Sequence, residues 1–413
     1  MKIDSLLIKT SRFFLFTFHL FIIFNGVDFN ERFSLPQGTI GLLMVLNLVL
    51  FLASYLFESK VTYSFIYKSI MLFCTLISLT FVGAYFSGDI SISTLSFVFT
   101  YGLLFICISI VCRFDYKDTY KYHNFIEVLV SFNILALCVF IVGVYFDINV
   151  RLFPEPWLYD LMLRFSGTFN EPSYMGYFSV VLLIYFWSIR SFKYSFVCLV
   201  FLLLSRSKLI IAILPLVVIF FIVNIFSRKE IGVKFFVISI FAILLFVFSL
   251  NLNSEMVFSL ISERIDFFET KTFATRFFFP LNVLEHLVNY PIGSGLFGYK
   301  ETLKPMLAVF VSSNYGLDTS ELHEYLLESN SVSFAPKDVF SFFLLSFGIP
   351  GLVFYMYFWL ILLTKVCKGD RSRFLVLCIF TLSFFSIQIN LLWFFSIFVV
   401  VILSKRERYD YWG

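Results

Sequence analysis

The stretch Arg164-Phe-Ser-Gly-Thr-Phe-Asn-Glu-Pro-Ser-Tyr-Met-Gly176 runs directly into Tyr177-Phe-Ser-Val-Val-Leu-Leu-Ile-Tyr-Phe-Trp-Ser-Ile189. Its polar half sets an arginine, Arg164, and a carboxylate, Glu171, seven residues apart. Gly167, Pro172 and Gly176 turn the backbone there instead of letting a helix continue. Its apolar half carries no charge, and counted from Pro172 to Ile189 the uncharged run reaches 18 residues, within the ~17–25 of a membrane crossing. Packing in hydrocarbon does not require the polar half, so those residues ask for a functional reading.

The same alternation extends in both directions. The chain is 60% apolar and 14% charged, with 61 phenylalanines, where a soluble chain is about 45–50% apolar. Apolar runs that suit helices fall at 13–29, 39–57, 66–87, 93–112, 125–146, 172–189, 193–206, 208–226, 232–251, 339–364, 373–388 and 389–404. The expected fold class is all-α, a polytopic helical bundle of about 12 transmembrane helices, each near the ~20 residues that hydrocarbon requires. Three units follow. Residues 1–251 form an N-terminal bundle of about nine helices by the same length criterion, with an outer loop at 147–171 and a hairpin at 205–208. Residues 252–338 form one long loop, and 339–413 form the last helices and a short tail.

Charge placement sets the orientation. With the N-terminus inside, the inner segments gather Lys2, Lys9 and Arg12, then Arg190 and Lys193, Lys365 to Arg373, and Lys405 to Arg408. The short outer segments keep only Arg32, Arg151, Arg164, Arg206 and Lys208. Both termini are then inside, and the long loop is outside. The basic start precedes an apolar run interrupted by His19 with no small-residue cleavage site, which reads as an uncleaved first span.

Several classes are disfavoured. The seven cysteines lie in or beside apolar runs, in no disulfide framework and in no metal-ligating spacing. No cofactor or metal is expected, and no nucleotide loop or nucleic-acid surface is legible. The apolar runs lack a charged relay along a translocation path, which argues against a flippase or other transporter.

The outer polar residues fall into three groups: Arg164 with Glu171; the hairpin Ser205-Arg-Ser-Lys208; and the long loop with Arg264, Arg276, His286, His323 and Lys337-Asp338. Helix from Lys193 to Arg206 covers only about 20 Å at ~1.5 Å per residue, short of the ~30 Å hydrocarbon core. A guanidinium at that depth needs a partner. A phosphate suits it, whether of an ordinary lipid or of a lipid-linked substrate. Arg164 and Glu171 also make sense as an ion pair that holds the turn.

These residues, in order, resemble the O-antigen polymerase and ligase superfamily, particularly the Wzy-type polysaccharide polymerases. The resemblance is carried by Arg164 to Ser173, Ser205-Arg-Ser207, Asn289-Tyr-Pro-Ile-Gly-Ser-Gly-Leu-Phe-Gly298 and Gly348-Ile-Pro-Gly351. It implies a metal-independent glycosyltransferase of the bacterial inner membrane that joins undecaprenyl diphosphate-linked oligosaccharides at the periplasmic face. A chain-length regulator and a flippase are the partners it implies. Ligases resemble one another in a His-Asn pair ahead of a glycine, where this chain has Lys337-Asp338; that departure favours a polymerase over a ligase. Arginines answer the charge of a leaving diphosphate, which points to Arg164, Arg206 and Arg276, with Arg264 a further member. An acceptor hydroxyl needs a proton acceptor, and Glu171, then Asp338 and His323, are the expected catalytic residues.

Overall fold

The computed structural model describes residues 116–146, 157–159, 162–167, 169, 172–205, 271–296, 298–313, 319–327, 336, 338–385 and 391–410, with a few isolated positions elsewhere. The expected spans at 13–29, 39–57, 66–87, 93–112, 208–226 and 232–251 lie outside the described residues, isolated helical positions aside.

Helices make up almost all of what is described. They are α1 (Tyr116–Phe146), α2 (Pro172–Ser188), α3 (Phe192–Ser205), α4 (Lys271–Asn289), α5 (Tyr299–Ser312), α6 (Ser320–Leu327), α7 (Val339–Ile361), α8 (Asp370–Phe385) and α9 (Leu391–Asp410). One small antiparallel hairpin, β1 (Trp157–Tyr159) with β2 (Met162–Arg164), stands in the 147–171 segment and pairs Trp157 with Arg164. By length and apolarity, Tyr122–Val142 and Val339–Val366 qualify as membrane crossings, and Ser173–Ser188 and Phe192–Ser205 are shorter apolar helices. This is a helical membrane protein.

Sequence dictates where α2 stops. Proline opens it, at the one helical position where a missing N–H costs nothing. At its end, Arg190 takes a positive φ of 60°. Ser191 N–H then bonds the Phe186 carbonyl at 2.9 Å and Arg190 N–H bonds that of Trp187 at 3.0 Å. That pairing closes the helix with a left-handed residue and sends the chain back along itself as α3.

Side chains from distant segments meet at this same end of the bundle. Arg371 Nη1 donates to the Ser188 carbonyl. The buried Glu407 carboxylate accepts from the N–H groups of Arg371 at 3.0 Å and Ser372 at 3.1 Å, so α9 caps the start of α8. Ser404 Oγ donates to the Val366 carbonyl at 2.6 Å. Higher up, the helices close on aromatic contacts such as Phe178 with Phe395 at 5.7 Å, Trp359 with Trp393 at 6.1 Å and Phe340 with Phe384 at 4.0 Å.

The expected helix 339–364 is present but does not run straight. At Gly348 the backbone leaves helical geometry (φ 58°, ψ −138°), dividing α7 into α7a (339–347) and α7b (349–361). The halves fold toward each other. Phe340 lies 5.7 Å from Tyr355, and Phe343 lies 5.6 Å from Phe354. A straight helix would hold residues 340 and 355 about 22 Å apart. Every residue from Val339 to Gly348 is buried, whereas α7b exposes Ile349, Val353, Tyr357 and Leu360. So α7a is enclosed by protein and α7b turns one apolar stripe outward, toward lipid.

A bend leaves backbone groups without helical partners, and Pro350 has no N–H to offer Ser346. The segment 291–295 fills these positions. Ser294 and Gly295 donate their N–H groups to the carbonyls of Leu345 (3.0 Å) and Ser346 (2.8 Å). Ile349 N–H donates to the Pro291 carbonyl at 2.8 Å. Three hydrogen bonds therefore hold the loop against the bend, as buried backbone requires.

Candidate functional site

The segment after β2 is pinned to the end of α3. Phe165 N–H donates to the Leu204 carbonyl at 3.0 Å. The Phe165 ring is buried, 5.4 Å from Phe140 and 5.6 Å from Phe201. Phe169 closes a turn through its N–H to the Ser166 carbonyl at 3.0 Å and packs 5.3 Å from Phe178. Two inserted phenylalanines thus fix the loop that follows β2. Arg164 is the residue before Phe165, and Arg206 comes two positions after Leu204 along the chain. The segments that carry the two arginines, far apart in sequence, meet at that hydrogen bond.

The side chain of Arg164, like that of Arg276 in α4, is outside the described residues, as are Glu171, Arg206 and Arg264 altogether. His323 sits on α6 and is exposed.

Asp338 is the candidate for which the structure gives full geometry. It is 1% exposed. In extended backbone geometry it caps α7a, and its Oδ1 accepts from Ser341 N–H at 2.6 Å. Aspartate suits this position because its carboxylate answers an orphan donor and the positive end of the helix. Burial, however, disfavours the charged form. Loss of water pushes the carboxyl up to about 7, although the Ser341 N–H and hydroxyl both favour ionisation. A carboxyl titrating there can accept or return a proton near neutral pH.

Sequence reading assigned no role to His286, and the structure gives it one. The ring is fully buried between α4 and the docked loop. Its Nε2 lies 3.2 Å from Ser294 Oγ, which donates to the Leu345 carbonyl at 3.1 Å. Nδ1 is 3.5 Å from Thr302 Oγ1, and Tyr290 stacks on the ring at 4.8 Å. Burial lowers its pKa to about 4, so the imidazole is neutral at working pH. It joins α4, α5 and the bend of α7 and is placed as a structural strut. Its partners are 8 and 16 residues away, beyond what local pattern reveals.

Residues 192–356 match the O-antigen ligase family model. The match bears out the resemblance to the O-antigen polymerase and ligase superfamily. No curated protein and no solved structure gives a match. The O-antigen ligase-type region opens on the first residue of α3 and closes within α7b, at Met356. It holds Arg206, Arg264, Arg276, His286, His323 and Asp338, while Arg164 and Glu171 precede it. The Phe165–Leu204 hydrogen bond therefore ties a flanking loop to that region. Among the described residues, no cluster of histidine, cysteine and carboxylate side chains could hold a metal ion.

Proposed function

We propose that this protein polymerises undecaprenyl diphosphate-linked oligosaccharide repeats into O-antigen or a related capsular or exopolysaccharide. The reaction takes place at the periplasmic face of the bacterial inner membrane, with about 12 spans and both termini cytoplasmic. The growing glycan leaves its lipid diphosphate and joins an acceptor hydroxyl on a new lipid-linked repeat. The observation that carries this reading is Asp338: a buried carboxyl, fixed by Ser341 and held near neutrality, inside the O-antigen ligase-type region.

The bond between the anomeric carbon and the diphosphate oxygen breaks, and a glycosidic bond forms. Asp338 takes the proton of the attacking hydroxyl, with Glu171 and His323 as the other candidate bases. The diphosphate leaves with its electron pair. Arg164, Arg206, Arg276 and Arg264 answer that charge, and the Phe165–Leu204 hydrogen bond supports pairing of the first two.

The family's description supports a second reading, transfer of a finished glycan by a ligase. A deletion strain separates them. Accumulated single-repeat glycolipid supports the polymerase. Accumulated long lipid-linked polymer supports the ligase, and repeats trapped on the inner leaflet a flippase.

A further inference from the structure

The face of α4 turned away from the protein carries an apolar edge beside the polar Glu285 and Asn289. Ala274, Phe278, Phe279, Val283 and His286 are buried on one side. Water would call for polar residues on the other. Glu285 and Asn289 meet that need only in part: beside them Leu284 and Val288 are 39% and 81% exposed, and Ile292, in the turn just past the helix, is 60% exposed. A helix buried on one side, with an exposed apolar edge running beside polar residues, has the pattern of a helix lying in a membrane interface.

What covers the outer side follows from its neighbour. Pro291 accepts the Ile349 N–H at 2.8 Å, so Ile292 adjoins the residue that begins the outward stripe of α7b. Ile292 and Ile349 are both exposed where the two segments meet, with Leu284 and Val288 preceding that point on α4 and Val353 following it on α7b. Depth agrees. Residues 349–366 make about 27 Å of helix, and the far end carries exposed Lys365 and Lys368. From those charges, one hydrocarbon thickness (~30 Å) reaches the level of Ile349 and Ile292.

We propose that α4 is an interfacial helix whose Leu284–Val288–Ile292 edge is embedded in the lipid at the opposite membrane surface. The occupant is phospholipid. α5 mixes Glu301, Pro305 and Ser312 with Ala308 and Val309 on its outward side and keeps no large apolar edge. Embedding one edge fixes the height of the loop above the bilayer. The inference needs the membrane alone and stands whichever glycan transfer the protein performs.

A photoreactive benzoylphenylalanine at Val288 or Ile292, in the full chain in phosphatidylethanolamine and phosphatidylglycerol nanodiscs, tests it by mass spectrometry. Val353 serves as the lipid-facing reference and Ser312 as the aqueous one. The expected result is phospholipid adduct at 288 and 292 at the Val353 level and on the order of tenfold above Ser312, the ratio that burial of one aliphatic side chain supports. Adduct at the Ser312 level overturns the proposal, as does cross-linking between two copies of the chain. Unmodified protein in nanodiscs containing an acyl-chain diazirine lipid gives a reading without substitution. Label on residues 281–292 supports the embedding, and label confined to α1, α2, α3 and α7b refutes it.

Discussion

Gly293 and Gly348 touch backbone to backbone. A Cβ on Gly293 would lie 2.5 Å from the Gly348 nitrogen, and one on Gly348 would lie 2.4 Å from the Gly293 nitrogen and 2.3 Å from the Pro291 carbonyl oxygen. Both glycines have positive φ, 80° and 58°. A side chain at either is excluded twice, by conformation and by space. This contact sets how far α7 folds back and therefore where Asp338 stands.

Replacing Gly348 with alanine is expected to cost about 1–3 kcal/mol in backbone strain alone, with more from displacing residues 291–293. The purified variant should melt earlier in detergent and lose transfer. Gly293→Ala should do the same. An unchanged melting temperature in both would show that the contact does not hold the bend.

For Asp338, opposite signs are expected in activity and in stability. The base is its ionised form, so transfer should rise with pH through an apparent pKa near 7. Between the ordinary carboxyl value of 3.8 and about 7, the folded state keeps the proton and the unfolded state does not. Stability should therefore fall as pH rises through that window. Asp338→Asn retains a good cap. It should lower transfer on the order of 10²–10⁴-fold while melting no earlier than the parent at pH 8. Rates of the parent that ignore pH from 6 to 8 would remove Asp338 as base.

His286 should give the reverse slope. Folded, it titrates at about 4; unfolded, at the ordinary 6.5. Between these values the unfolded chain binds the extra proton, so stability falls as pH drops through that window. His286→Gln should flatten this part of the melting-temperature profile. An identical slope in parent and variant would contradict the assignment.

The far end of the bundle provides a control. Glu407→Ala removes the acceptor for two N–H groups of α8 and should cost about 1–2 kcal/mol, as lost caps do. Folded enzyme should keep its turnover per molecule. A loss of turnover as deep as that of Asp338→Asn would mean the two ends are not independent.

Sequence placed most of the described bundle because a bilayer sets the length of an apolar run. The runs 172–189, 193–206, 373–388 and 389–404 correspond to α2, α3, α8 and α9. Apolarity says nothing about direction, so 339–364 read as one helix. The sign of its bend was present as Gly348-Ile-Pro-Gly351, a break that hydropathy averages away. α1 begins at Tyr116, ahead of the expected 125, because its first turns are polar. Asp338 was named from its place before a helix, but its burial depends on how α7a packs. The strut made by His286, Ser294 and Leu345 joins segments that no local pattern connects.

The most direct measurement gives purified protein in lipid a synthetic undecaprenyl diphosphate-linked repeat and resolves the products by size. A ladder of lengthening glycans is expected from the parent and none from folded Asp338→Asn. Unextended repeat with the parent under every condition that keeps it folded, or an undiminished ladder with Asp338→Asn, would contradict it.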